Sequence, residues 1–231
     1  MRTFAPLLVF FLAGCGILGI GPDKRFPEAW VVPVVPIRYA GVVDDDCRGR
    51  IRDLLIRMNE RLYDATDGQV RIAKFEVWRA DQKPDTVPGM GTMVESEKDL
   101  SGLGAIGDPK NPGYFRFPLA DGLMDSAWCA GVAAHEWFHS YVGLLDEGHC
   151  PKLWTRRMET DSCLMYSSWR TELCRGADHN TDTRQHQIRG MPCYEWLRHI
   201  VQEKLVLEIG IPDHYYPGPD DPPKPEVEFK F

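Results

Sequence analysis

The sequence predicts an α+β domain, because a strand-like segment precedes a long amphipathic helix, several further strands and two more helices. Residues 34–39 are rich in β-branched side chains, which is typical of a strand. Asp44 and its acidic neighbours supply N-cap chemistry for the helix that follows. Apolar residues then recur at helical spacing: Ile51, Leu54, Leu55, Met58 and Leu62. Residues 69–78 alternate as a half-buried strand does, so we expect a twisted mixed sheet packed on two long helices.

The second half of the domain carries weaker strand signals and two helix starts. Short strands are expected around Gly91–Glu95, Leu103–Gly107 and Tyr114–Pro118. Asp125 and Ser126 cap a second helix. A last helix starts near Pro192, a favourable first-turn residue. Its apolar residues are Leu197, Ile200, Val201 and Leu205.

The N-terminus has the pattern of an export signal. Residues 1–14 combine a basic start with an apolar run that is too short to span a bilayer. They end in Leu-Ala-Gly before Cys15, which resembles the bacterial lipobox and implies a lipoprotein signal peptide with a lipid on Cys15. Residues 15–30 are then a tether, residues 31–210 the domain and residues 211–231 a proline-rich tail that is extended or disordered.

The charge and hydropathy of the chain limit the classes of partner that we expect it to bind. The chain has 27 Lys and Arg against 34 Asp and Glu, a net charge of −7, and it has no basic stripe, which argues against nucleic acid. No second apolar run is long enough to cross a membrane. We therefore expect a monomer attached through its lipid to the bacterial cell envelope, either periplasmic or surface-exposed.

The segment HEWFH, residues 135–139, has the spacing of a metal-binding helix. Residues four apart share one helix face, so His135 and His139 can present two imidazole nitrogens to one metal ion. Glu136 is rotated by about 100° and can reach a water activated by the metal, which is the geometry of a general base. The alternative is a helix with two histidines and no metal. Small apolar residues precede the motif, so the helix should be buried and its histidines need partners.

A second motif follows at Cys163-Leu164-Met165-Tyr166. Together with HEWFH it resembles the metzincin zinc peptidases, whose HExxHxxGxxH motif is followed by a Met-turn. The form HEWFHSYVGLLDE is similar to a late-glycine variant found in bacterial enzymes of the IgA-peptidase type. The resemblance implies a metzincin-like fold with a zinc-site helix, a Met-turn and a C-terminal helix. It also implies Zn2+ as cofactor and Met165 as the apolar floor beneath the ligands.

The third zinc ligand depends on where the chain turns. Gly143 stands one residue later than in the common pattern, and the usual interval of three from it leads to Asp146. One extra helical residue adds about 1.5 Å and 100°, which a bulge or a longer last turn can absorb. We therefore favour Asp146, an acceptable oxygen ligand. His149 is the alternative, because histidine is the more usual third ligand in metzincins.

The six cysteines after Cys15 favour disulfides in an exported chain. Proximity in sequence and the order of elements suggest three bridges, namely Cys150–Cys163, Cys174–Cys193 and Cys47–Cys129. A structural zinc held by four cysteines is the competing interpretation, which the lack of a C-x-x-C pair disfavours.

These features together predict a zinc-dependent endopeptidase acting on a peptide or protein substrate. Glu136 activates the water, His135, His139 and Asp146 hold the metal, and substrate lies along an edge strand such as Leu103–Gly107. Tyr166 is a candidate oxyanion stabiliser, with a packing role as its alternative. A non-catalytic binding lipoprotein on a metzincin scaffold is the second hypothesis, and a hydrolase of non-peptide amides is the third.

Overall fold

A parallel sheet with helices packed against it forms the framework of the domain. The computed structural model describes residues 30–82, 90–94, 115–119, 126–145, 163–165, 170–175, 184–200 and 224–231. The strands are β1 (Trp30–Val32), β2 (Val35–Tyr39), β3 (Val70–Ile72), β4 (Lys74–Arg79), β5 (Gly91–Val94), β6 (Phe115–Pro118) and β7 (Glu226–Phe229). The helices are α1 (Asp45–Ala65), α2 (Ser126–Trp137) and α3 (Arg184–Arg189), and residues 193–200 are helical as well.

The main sheet has the strand order β6-β5-β2-β4-β7, and β1 pairs with β3 in a second, two-stranded sheet. Every pair among these described strands is parallel, so the expectation of a mixed sheet is wrong for them. The reason lies in the connections. Helix α1 stands between β2 and β4 in the chain and serves as the crossover that parallel neighbours require. The expected strand Leu103–Gly107 lies outside the described residues.

Helix α1 buries the face that its sequence predicts. Asp44 caps it, with its Oδ1 accepting a hydrogen bond of 2.7 Å from the Cys47 N–H. The predicted apolar positions are at most 1% exposed: Ile51, Leu54, Leu55, Met58 and Leu62. The buried Asn59 joins this helix to β3, because its Oδ1 accepts the Ile72 N–H at 2.7 Å. The helix also packs against α2, and α2 packs in turn against β6.

The C-terminal end of the expected tail completes the main sheet. Strand β7 pairs with β4, and Glu228 lies between the ammonium groups of Lys74 and Lys230. The guanidinium group of Arg48 on α1 lies 5.5 Å from the centre of the Phe229 ring, a cation–π distance. No helix in the described part of the chain is long and apolar enough to cross a membrane.

Candidate metal centre

Two histidines at the end of α2 converge on one point. The helix is lined by small and apolar residues, and every residue from Cys129 to Ala134 is buried. His135 lies in its last turn, and His139 follows in a π-helical turn, Phe138–Val142. The Nε2 atoms of the two imidazoles are 3.0 Å apart. The four-residue spacing has therefore placed both rings on one face, as the sequence predicts.

Backbone carbonyl groups set the orientation of both rings. The Nδ1 of His135 lies 2.9 Å from the Leu164 oxygen, and the Nδ1 of His139 lies 2.6 Å from the Leu144 oxygen. A carbonyl oxygen only accepts, so each neutral ring carries its hydrogen on Nδ1 and its lone pair on Nε2. Two lone pairs at this separation repel each other. A cation or a shared proton between the two Nε2 atoms relieves that repulsion.

The carboxylate of Glu136 completes the group. Glu136 is only 4% exposed, and its Oε1 lies 3.7 Å from the Nε2 of His135. All three ligand atoms lie within 4.8 Å of one another. Two nitrogens on one tetrahedral zinc are roughly 3.3 Å apart, since each Zn–N bond is about 2.0–2.1 Å. The observed donor set and spacing therefore fit zinc or a similar transition metal.

The π-helical turn explains the late glycine. The N–H of Gly143 bonds to the Phe138 oxygen, the five-residue step of a π-helix, which takes one residue more than an α-helical turn. Gly143 then ends the helix with φ of 70°, in the left-handed region that glycine adopts without strain. This π-helical turn is a longer last turn of the kind that can absorb one extra residue, and His139 lies within it.

Three side chains hold the chain after this turn. The indole Nε1 of Trp196 donates to the Val142 oxygen at 2.9 Å, and Arg189 donates to the Gly143 oxygen at 3.1 Å. The buried Gln185 accepts the Leu145 N–H at 2.9 Å. We call Gln185, Arg189 and Trp196 the turn clamp. The clamp satisfies backbone groups at the helix end and directs the chain from Leu144 onward.

The other predicted site residues divide into two groups. Met165 is 1% exposed and directly follows Leu164, whose oxygen lies 2.9 Å from the His135 Nδ1, so this segment lies beside the histidine pair. The role of Met165 as the apolar floor of a zinc site stays a prediction. The remaining ones lie outside the described residues: Cys15, Asp146, His149, Cys150 and Tyr166. The choice between Asp146 and His149 therefore stays a prediction.

The cysteines are arranged differently from the expected bridges. The five cysteines that the structure describes are thiols, so neither Cys174–Cys193 nor Cys47–Cys129 is bridged, and Cys163 is a thiol as well. Instead, the sulfurs of Cys163, Cys174 and Cys193 lie within 4.8 Å of one another. We call these three residues the thiol cluster.

The pKa values of the thiols in this cluster differ. Burial opposes ionisation of Cys163, but hydrogen bonds from the Cys174 and Cys193 thiols outweigh it and hold its pKa well below the usual range. Burial, together with the neighbouring sulfurs, raises the pKa of Cys193. The pKa values of Cys163 and Cys193 are therefore shifted in opposite directions.

Sequence reasoning missed the turn clamp and the thiol cluster. The clamp residues lie 40 to 54 residues along the chain from the backbone groups that they bind, and nothing local in their sequence marks them. The thiol cluster lacks the C-x-x-C spacing by which metal-binding cysteines are usually found. No model of a known protein family matches the chain, and no curated protein matches it.

Proposed function

We propose that this chain is a zinc-dependent endopeptidase in which His135 and His139 hold the metal and Glu136 is the general base. One observation carries the proposal. Two imidazole nitrogens, each oriented by a backbone carbonyl, face one point at 3.0 Å from each other with a buried carboxylate beside them. A helix that only packed its histidines has no need of the glutamate. The resemblance to metzincins, seen in HEWFH and the Met-turn, gives the same assignment.

The chemistry of the site follows from its residues. Zinc, when bound, acts as a Lewis acid that polarises a carbonyl group and lowers the pKa of water. The Glu136 carboxylate would act as the general base and take the proton of the attacking water. It then returns that proton to the nitrogen of the leaving amine. The buried position of Glu136 keeps this proton transfer away from bulk solvent.

Residues beyond the described part of the chain enter the proposal through the sequence. Asp146 is our proposed third ligand, because it stands three residues after Gly143 in the sequence. His149 is its alternative, because histidine is the more usual third ligand in metzincins. Met165 would form the apolar floor, and Tyr166 would stabilise the oxyanion of the tetrahedral intermediate. The lipobox at Cys15 leads us to propose that a lipid anchors the protein in the bacterial cell envelope. Its substrates would then be peptides or proteins present there.

The test compares zinc content and peptide hydrolysis in the parent chain and in Glu136→Gln. We expect hydrolysis of a broad peptide library that a chelator abolishes and zinc restores. Glu136→Gln should retain zinc and lose about 10²–10⁴-fold in turnover, the usual worth of a general base. The matched control is Glu60→Gln on α1, which should leave both properties unchanged.

Two outcomes would contradict the proposal. Unreduced hydrolysis by Glu136→Gln would remove Glu136 from the mechanism. A folded, zinc-loaded parent that cleaves no peptide in the library would favour the binding lipoprotein instead.

A further inference from the structure

The thiol cluster lies outside the catalytic group and is drawn from three separate segments. Cys163 pairs with Glu172 in an isolated parallel bridge, and the Leu164 N–H donates to the Glu172 oxygen at 2.6 Å. Cys174 follows two residues later, and its oxygen accepts the Tyr194 N–H at 3.1 Å. Cys193 begins the helical residues 193–200. The cluster is thus the point at which these three segments meet.

The sulfurs converge in a buried setting. Cys163 is 1% exposed, Cys174 8% and Cys193 0%. The Cys193 N–H points at the Cys174 sulfur at 3.3 Å. A backbone N–H directed at sulfur favours the thiolate, which is the form that binds metals.

The number and spacing of the three sulfurs fit a metal ion better than they fit a disulfide. A disulfide takes two sulfurs at about 2.05 Å and leaves the third beside the bond, where its thiolate can attack and exchange. Thiolates on one tetrahedral zinc, with Zn–S bonds of about 2.3 Å, lie roughly 3.8 Å apart. That separation falls inside the 4.8 Å that contains all three sulfurs.

We propose that Cys163, Cys174 and Cys193 bind a soft divalent cation, zinc by its preference for thiolates, at a second and structural site. The described residues supply three of the four ligands of such a site. Each thiol gives its proton to solvent when it binds the ion. The site joins the segments of Cys163, Cys174 and Cys193, and it does not depend on the proposed peptidase activity.

The second site has a consequence for the first. Cys163 is adjacent to Leu164, whose oxygen lies 2.9 Å from the His135 Nδ1. An ion on the thiol cluster therefore fixes the carbonyl that orients His135. Outer partners of metal-binding histidines are worth about 10–100-fold in metal affinity, so loss of the thiolate ion should weaken binding at His135 and His139 within that range.

Cobalt substitution of the full chain under reducing conditions tests the proposal. Cobalt(II) on thiolates has an intense sulfur-to-metal charge-transfer band in the near ultraviolet, which cobalt on imidazole and carboxylate lacks. We expect two cobalt ions per chain and the thiolate band in the parent. His139→Ala should keep that band and lose one ion. Cys174→Ser should lose the band.

Cys47→Ser and Cys129→Ser are the matched controls, because both residues are buried cysteines outside the cluster. Each should keep the thiolate band. A folded parent without the band would overturn the proposal, and this measurement needs no variant to fold. A Cys174–Cys193 disulfide in the metal-loaded chain, found by non-reducing peptide mapping, would overturn it as well. Both results would leave the peptidase proposal intact, because hydrolysis is measured separately.

Discussion

His135, Glu136 and His139 lie within five consecutive residues of one helical segment, whereas Cys163, Cys174 and Cys193 come from three segments that meet only in the folded chain. Both groups bring three ligand atoms within 4.8 Å. The first is partly accessible at His135, whose side chain is 13% exposed, and in the second no cysteine is more than 8% exposed. Structural metal sites are closed and catalytic sites keep an open position. The more exposed histidine group is the one that we propose as catalytic, and the more buried thiol cluster is the one that we propose as structural.

The largest effect on metal binding is expected from His139→Ala, which tests the difference between the two groups. Removing a ligand of the catalytic group should weaken its zinc affinity by more than the roughly 10–100-fold expected for an outer partner. The ion at the thiol cluster should remain. Zinc titration followed by elemental analysis measures both. Loss of both ions in a folded variant would contradict the assignment of a separate ligand set to each group.

The next largest effect is expected from Gly143→Ala. Its φ of 70° is unfavourable for alanine by about 1–2 kcal/mol, and the new Cβ would lie 3.4 Å from the Arg189 Nη2 atom of the turn clamp. We expect lower stability together with weaker metal binding at His139. Denaturant unfolding and zinc titration are the measurements.

Gly49→Ala is the control for Gly143→Ala. Gly49 lies within α1, and a Cβ there would meet nothing within 4 Å. Alanine should stabilise the helix by up to about 1 kcal/mol, because glycine is a poor helix former. Equal losses of stability in both variants would show that the left-handed turn has no special role.

A smaller effect is expected from Trp196→Phe. Phenylalanine keeps an aromatic ring but removes the indole N–H that donates to the Val142 oxygen. The loss of one buried hydrogen bond should cost about 1 kcal/mol, and it should loosen the turn that follows His139. Hydrogen exchange at the amides of Gly143 and Leu144 would report this loosening. Unchanged protection there would exclude the clamp as a support for the turn.

The smallest effect, a change in thermal stability, is expected from Glu228→Gln in the edge strand β7. Hydrogen bonds from Lys230 and then Lys74 lower the pKa of Glu228 below its ordinary value of 4.5. A lowered pKa stabilises the fold above pH 4.5, and the contribution is lost as the pH falls through the folded-state pKa. The parent should have a slightly higher Tm than Glu228→Gln at pH 7 and the same Tm in acid. Metal binding at both groups should not change, because β7 lies at the opposite edge of the sheet from β6 and α2.

Local sequence could predict the features that depend on short spacing. The face of α1 and the pairing of His135 with His139 follow from the pitch of one helix. The longer turn before Gly143 is suggested only by comparison with the metzincin pattern. The parallel direction of the strands could not be predicted in this way. It depends on where the chain returns after α1 and on which strand it then pairs with.

The spacing of His135 and His139 is enough to predict the histidine pair, because a helix converts a spacing of four into a shared face wherever it folds. The surroundings of that pair depend on tertiary contacts. The carbonyls of Leu144 and Leu164 orient the rings, the turn clamp holds the helix end, and the thiol cluster includes Cys163, the chain neighbour of Leu164. Contacts between residues far apart in the chain depend on how whole elements pack, and no local pattern encodes them.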